Sequence, residues 1–497
     1  MRWAVLLLFI AISLDAAESY DDEPMTLSAV QADYKDRKIT LKGDVVVEHE
    51  LGKMCAQDVE IHSVPSEKCL RLGSILLKDK VNILLKDSGQ LTCEGADLDY
   101  QQMKGFFSGD VTYSELCKSK KQETVPLIVK SRLMTLDIAR QETPIEVAGK
   151  SFVQQITAVG DVNVNYNHDF IASADQGLYE RRSAAAENSR PAGTITLRMD
   201  SSERFCKIIN RNGDLIKAGV IKIDILTKEL AFEKANGTIQ GSREGVKTDQ
   251  RIDFSADTLL WDNANDQITL QDNVQINQAG LGRLETDGEA RIYQRSHAGK
   301  KQLSLLETAG KTVIVFQEPG KELEHTLTSY GVVAVDHIQL LTTMDSPKGP
   351  RGKVRDEEQV SFLDDQGEIF ADKAALYYAL DGGKIVLSKV RLEGNVRLKD
   401  RQDGSGDILH YVIADFVDFI PEDKEMIFTA KAKRRVLFYD KMNNVQVSAP
   451  ALKIKRDDVT QKESIKGIGD VRFSFIEQEY MQLRKRFKLD TTEAAQP

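Results

Sequence analysis

The stretch KITLKGDVVVEHE, residues 38–50, constrains this chain more than any other feature. Strand-forming residues flank Gly43-Asp44, a dipeptide typical of tight hairpin turns. A two-residue turn there would set Lys42 opposite Val45 and Leu41 opposite Val46, which leaves neither face of the hairpin apolar. Read as a single strand, the segment sorts into two faces. Ile39, Leu41, Gly43, Val45 and Val47 share one; Lys38, Thr40, Lys42, Asp44 and Glu48 share the other. Alternation of period two runs through the glycine without a slip. The pattern predicts a strand that continues through Gly43, with the glycine pointing inward at a bend, a bulge or a close approach of backbones.

The same phrase returns along the chain. GFFSGDVTY around Gly109, ITAVGDVNV around Gly160, VRLEGNVRL around Gly394 and IKGIGDVRF around Gly469 keep the parity. ILLKDKVNI around Asp79 and ITLQDNVQI around Asp272 are looser copies. The candidate strand-bend glycines are therefore Gly43, Gly109, Gly160, Gly394 and Gly469. A second phrase, Ala-Asp followed by an aromatic, occurs in GADLDY (95–100), SADQGLY (173–179), SADTLLW (255–261), FADKAALYY (370–378) and IADFVDF (413–419). Recurrence of this kind marks a repeat architecture. Connections such as DNAND (262–266) and ALDGGK (379–384) carry turn residues.

Each repeat has one apolar face and cannot bury it alone, so stacked repeats pool these faces into one interior. The expected fold is all-β, an elongated stacked jellyroll or solenoid of several modules. Polar breaks near 119–126, 181–193 and 344–359 set modules at 26–118, 127–343 and 360–475, with a helical or disordered tail at 476–497. The interior carries Val, Ile, Leu and Phe. Two readings of it stand side by side: a groove for acyl chains, or a solid core without cargo.

The chain opens MRWAVLLLFIAISLDAAES: one arginine, an apolar run too short to span a bilayer comfortably, then Ala16-Ala17. This is the form of a cleaved secretory signal peptide, residues 1–17, and implies export. Disulfides are then permitted, and five cysteines leave at least one thiol unpaired. Cys55–Cys69 and Cys93–Cys117 are candidate pairs, and a fully reduced chain is the alternative. A net charge of −10 argues against broad nucleic-acid binding. The histidines show no metal-ligand spacing, and no nucleophile, zinc-protease or phosphate-loop motif occurs, so no catalytic residue, metal or cofactor is expected. Asp44, Asp110, Asp161 and Asp470 recur at one motif position. Recurrence in every rung fits solvated strand or turn residues, not a catalytic acid.

Taken together, the Ala-Asp-x-aromatic strand, the Gly-Asp/Asn-Val strand and the leader resemble the OstA-like family of periplasmic lipopolysaccharide-transport proteins. The segments at 28–61 and 93–113 carry the resemblance most fully, and the copies near Ala256, Ala371 and Gly394 extend it over most of the chain. The resemblance implies a β-jellyroll that bridges inner and outer membranes in the periplasm and holds lipid A acyl chains in its apolar groove. It maps Ile39, Leu41, Val45, Val47, Phe107, Val111, Ile156 and Val162 to the groove lining. It also implies partners: lipopolysaccharide, other jellyroll proteins of the same transport type joined by edge-strand addition, and head-to-tail copies of this chain. The alternative is an envelope assembly scaffold with a solid β core and no lipid cargo.

Overall fold

The computed structural model describes residues 25–49, 51–65, 70–86, 89–118, 124–140, 151–181, 193–240, 251–278, 282–297, 300–317, 324–363, 367–382, 384–401, 408–456 and 463–474. The expected leader, the expected tail and Cys69 lie outside these residues. The described chain is all-β, with one short 3-10 turn at Asp356–Glu358. It divides into two compact units, residues 1–237 with 258–265, and residues 238–257 with 266–497.

The first unit begins with β1 (Thr26–Ser28), β2 (Gln31–Lys35), β3 (Lys38–His49), β4 (Gly52–Pro65) and β5 (Leu70–Leu85). It continues with β6 (Gly89–Asp99), β7 (Lys104–Lys118), β8 (Thr124–Arg140), β9 (Ser151–Tyr166) and β10 (Phe170–Arg181). From β3 to β10 each strand pairs antiparallel with the next. Every one of these ladders has a register shift near its middle, as between Lys42 and Val45 on β3 or between Ser108 and Val111 on β7. Each long strand thus belongs to two walls. The first wall holds the early half of β3 and the late half of β4; the second holds the late half of β3 and the early half of β4.

One strand does pass through Gly43. Lys42 pairs with Asp58 and Val45 with Ala56, both on β4, and not with each other. Gly43 and Asp44 have φ of 78° and 43°, and the same double left-handed pair stands at Gly109-Asp110, Gly160-Asp161 and Gly394-Asn395. The looser copies Asp79-Lys80 and Asp272-Asn273 share it. Two successive left-handed residues are the backbone of a type I′ turn. At Asp36-Arg37 and Asn167-His168 the same conformations do reverse the chain, and Lys35 pairs with Lys38 and Tyr166 with Phe170. At the corners each flanking residue is already bonded to a neighbouring strand, so the turn carries the chain from one wall to the other.

The inward orientation expected for the bend glycines is corrected. A Cβ on Gly43 would lie 3.0 Å from Cβ of Val30, which is 80% exposed. At Gly109 it would lie 2.6 Å from Cβ of Glu94, at Gly160 2.6 Å from Nε of Arg132, and at Gly394 3.0 Å from Cβ of Asp372. At Gly469 it would meet Cγ of Pro450 at 3.0 Å. The left-handed φ turns the glycine to the outside of the corner, against the neighbouring strand's own bend, while the residues two before and two after stay inside. Asp or Asn follows because its short polar side chain tolerates the left-handed region.

The partner strands turn without a left-handed pair and shift phase instead. Successive buried positions there stand three apart: Ala56 and Val59, Cys93 and Ala96, Ser131 and Met134, Ala174 and Gly177. In the second unit, Lys384–Arg401 and Ile408–Ile420 cross both walls in the manner of β3 to β10. Between them and the start of that unit, the walls are assembled from separate short strands, such as Gly282–Thr286 with Thr312–Gln317 and Lys300–Thr308 with Val333–Asp336.

Strand ladders continue across two of the polar breaks. Lys118 pairs with Thr124 across the first break, and Leu341–Asp345 pairs with Lys373–Asp381 across the break at 344–359. A polar loop between strands can leave the ladder beneath it intact.

Candidate functional site

The space between the walls of the first unit is the candidate site. Leu41, Phe107 and Ile156 face it from the first wall and Val45, Val47, Val111 and Val162 from the second; all seven are buried. Ile39, nearest the β2–β3 turn, is half-buried. The corner explains the division: residues before the glycine lie on one wall and those after it on the other. Side chains fill the space. A Cβ on Gly177 of the first wall would already meet Cγ1 of Val162 on the second at 3.0 Å. Each fully buried Val, Leu, Ile or Phe here contributes about 1.5–3 kcal/mol.

Away from the corner the interior holds a polar contact, with Cys117 and Val125 buried beyond it on the second wall. Val111, Tyr113 and Glu115 are successive inward positions on β7, and Gly177, Tyr179 and Arg181 on β10. The Arg181 guanidinium pairs with Glu115 Oε1 from the opposite wall, with the two side chains 1% and 6% exposed. Glu115 Oε2 accepts hydrogen bonds from the Tyr113 hydroxyl at 2.8 Å and the Tyr179 hydroxyl at 3.2 Å. Burial pushes the Glu115 carboxyl above its ordinary range, against the pull of Arg181 and the hydroxyls. Burial, with the Glu115 charge beside it, also pushes the Tyr113 phenol well up. In the same row the Tyr166 hydroxyl donates to the carbonyl of Ile225 at 3.1 Å. Sequence reading missed this cluster, although Glu115 stands in phase with Val111 in the repeat, a carboxylate at an inward position.

In the second unit the inward positions include hydroxyls. Thr308 and Thr312 share a hydrogen bond of 2.8 Å, and Thr312 donates to Thr286 at 3.3 Å. Ser346 Oγ accepts from the backbone N–H of Val360 at 3.0 Å. His325 is buried and stacked between Phe316 and Phe362, with ring centroids 5.1 and 5.4 Å away.

The recurring aspartates serve the corners. Asp372 accepts from Asn395 Nδ2 at 2.8 Å and Gln359 Nε2 at 2.9 Å; Asp257 accepts from Asn273 Nδ2 at 2.5 Å. Asp44 accepts from Gln57 Nε2 at 2.9 Å, and Asp161 pairs with Arg132. The Ala-Asp phrase and the Gly-Asp/Asn phrase are thus two sides of one corner.

Among the described residues Cys55, Cys93, Cys117 and Cys206 form no disulfide, which corrects the Cys93–Cys117 pairing. Thr92 pairs with Thr112, so Cys117 lies five residues further along β7. That is roughly 17 Å at strand rise, far beyond disulfide reach.

Among the described residues, β1 and β2 pair only with β3, and Glu463–Ile468 and Arg472–Ser474 each pair with one strand. Val30, Tyr34, Ile465, Ile468 and Phe473 are exposed at these edges. No known family model matches the chain, and no curated protein matches it.

Proposed function

We propose that this chain is an exported envelope protein that conveys an acylated lipid, of the lipopolysaccharide class, with the acyl chains between its walls and the polar part in water. The observation that carries the reading is the recurring corner. It places a recurring series of apolar side chains on facing walls that the bent strands join. Parting of such walls to admit an acyl chain would leave the ladders within each wall intact. Among the described residues the strands at 26–28, 31–35, 463–468 and 472–474 each pair on one side only, and the other side is where a second copy or another jellyroll protein would add a strand.

The complete burial of Val45, Val111 and Val162 favours a second reading, an assembly scaffold whose interior is a core. Organic extraction of the purified full chain, followed by mass spectrometry, decides between them. Stoichiometric acylated lipid is expected. Lipid-free protein from lipopolysaccharide-producing cells would leave the scaffold.

A further inference from the structure

We propose that Arg181, Tyr113 and Tyr179 form an anion receptor between the walls of the first unit, occupied at rest by Glu115, and that the phosphate of an acyl-chain amphiphile exchanges with that carboxylate. The proposal rests on the reading of the interior as an acyl path and names the headgroup chemistry that opens it.

Three donors converge on one anion: the guanidinium from the first wall, the Tyr179 hydroxyl beside it, and the Tyr113 hydroxyl from the second wall. Among the described residues this is the ion pair with both side chains buried. Its place is the third inward row from the corner, after those of Val111 and Tyr113 on β7, where a headgroup would sit if its chains lay in the rows beneath. Stapling alone does not account for it. The rows formed by Val111, Val162 and Gly177 join the walls with hydrocarbon, and a buried ion pair is commonly no better than well-packed hydrocarbon of the same volume. An exchangeable anion does account for it, because a guanidinium binds phosphate through the same fork of donors that binds carboxylate. The desolvated state of Glu115 works in the same direction, since its charge gains hydration on leaving. Exchange would swing Glu115 toward solvent and part the walls at this row, exposing Cys117, the next inward position on β7, which is 1% exposed at rest.

The test compares dodecyl phosphate, dodecyl maltoside and inorganic phosphate on the full chain, below micellar concentrations and with far-ultraviolet circular dichroism to check the fold. In Glu115→Gln the receptor lacks its resident anion, so dodecyl phosphate should bind at least tenfold more tightly than to wild type. Dodecyl maltoside should show no such gain, and Arg181→Gln added to Glu115→Gln should abolish it. A gain for inorganic phosphate as large as that for dodecyl phosphate would make the site a free-phosphate site and overturn the acyl-chain part. In the wild-type chain, which bypasses any folding defect of the variant, dodecyl phosphate should speed alkylation of Cys117 at least tenfold over dodecyl maltoside. Equal binding to Glu115→Gln and wild type, or equal Cys117 protection in both amphiphiles, overturns the proposal. Lipid recovered by extraction together with no gain in Glu115→Gln sinks the receptor alone. Exchange without any extracted lipid keeps the receptor and sinks the transport reading.

Discussion

The two units solve the same packing problem with different interiors. In the first, the strands from β3 to β10 bend from wall to wall and the side chains they enclose are mainly hydrocarbon, with Ser131 and the Glu115–Arg181 pair as buried polar exceptions. In the second, much of each wall is made of short separate strands, and Thr286, Thr308, Thr312 and Ser346 bring hydroxyls inward. The difference follows from the corners. A continuous strand keeps its backbone hydrogen bonds on neighbouring strands through the bend. A broken strand leaves N–H and C=O groups at the gap, and buried polar groups need partners. Thr286 donates to the carbonyl of Lys311, and Ser346 receives the N–H of Val360, so these hydroxyls close such gaps. The first unit therefore gains stability from apolar area, and the second spends part of its interior on satisfying its own backbone.

The largest effect should come from breaking the ion pair. Glu115→Ala leaves the Arg181 charge buried and should cost the first unit about 3–5 kcal/mol, read by hydrogen exchange of β7 to β10 under mild urea. The double variant Glu115→Leu with Arg181→Met should recover most of this loss. Retention of the full loss would mean that the cluster does more for stability than burial accounting allows.

Core truncation should separate the units next. Ile156→Ala removes hydrocarbon from the packed interior and should cost about 2–5 kcal/mol. Thr312→Val in the second unit removes one shared hydroxyl and should cost about 1 kcal/mol. Urea unfolding of each variant supplies both numbers, and equal costs would erase the contrast between the interiors.

Gly109→Ala should cost about 1–3 kcal/mol through its left-handed φ and its contact with Glu94. Asp110→Gly should be close to neutral, because glycine is at ease at its φ of 44°. A neutral Gly109→Ala would remove the reason for glycine at the corner.

The smallest effect concerns thiols. Burial pushes Cys93 and Cys206 up to about 11, so at pH 8 only about one thiol in a thousand is the reactive thiolate. Iodoacetamide at pH 8 should modify half-buried Cys55 in the folded chain and reach Cys93 and Cys206 only after denaturation. Their labelling in the folded state should begin only as pH climbs toward that raised value. Peptide mass spectrometry reads the result.

Much of the first unit was legible in the parity of KITLKGDVVVEHE. Leu41, Val45 and Val47 are buried, and the ladder runs through Gly43. The direction of the glycine was not legible, because side-chain alternation says nothing about φ, and a positive φ moves the would-be Cβ outside while its neighbours stay in phase. The phase shift on β4, β6, β8 and β10 was hidden for a related reason. It is imposed by the corner on the adjacent strand, as Ala174 and Gly177 show, and leaves an Ala-Asp phrase on β6 and β10 but none on β4 and β8. Glu115 was in view at an inward position, but its counter-charge lies 66 residues away and on the other wall. Strand pairing at that distance is a property of the fold and leaves no local spacing to read.

Light-activated cross-linkers at Leu41, Val111 and Val162, with Lys42 as the outward control, test the central claim most directly when lipopolysaccharide is present. The account predicts lipid adducts at the three inward positions and little at Lys42. Adducts confined to Lys42, in a chain that retains its β signature, would contradict it.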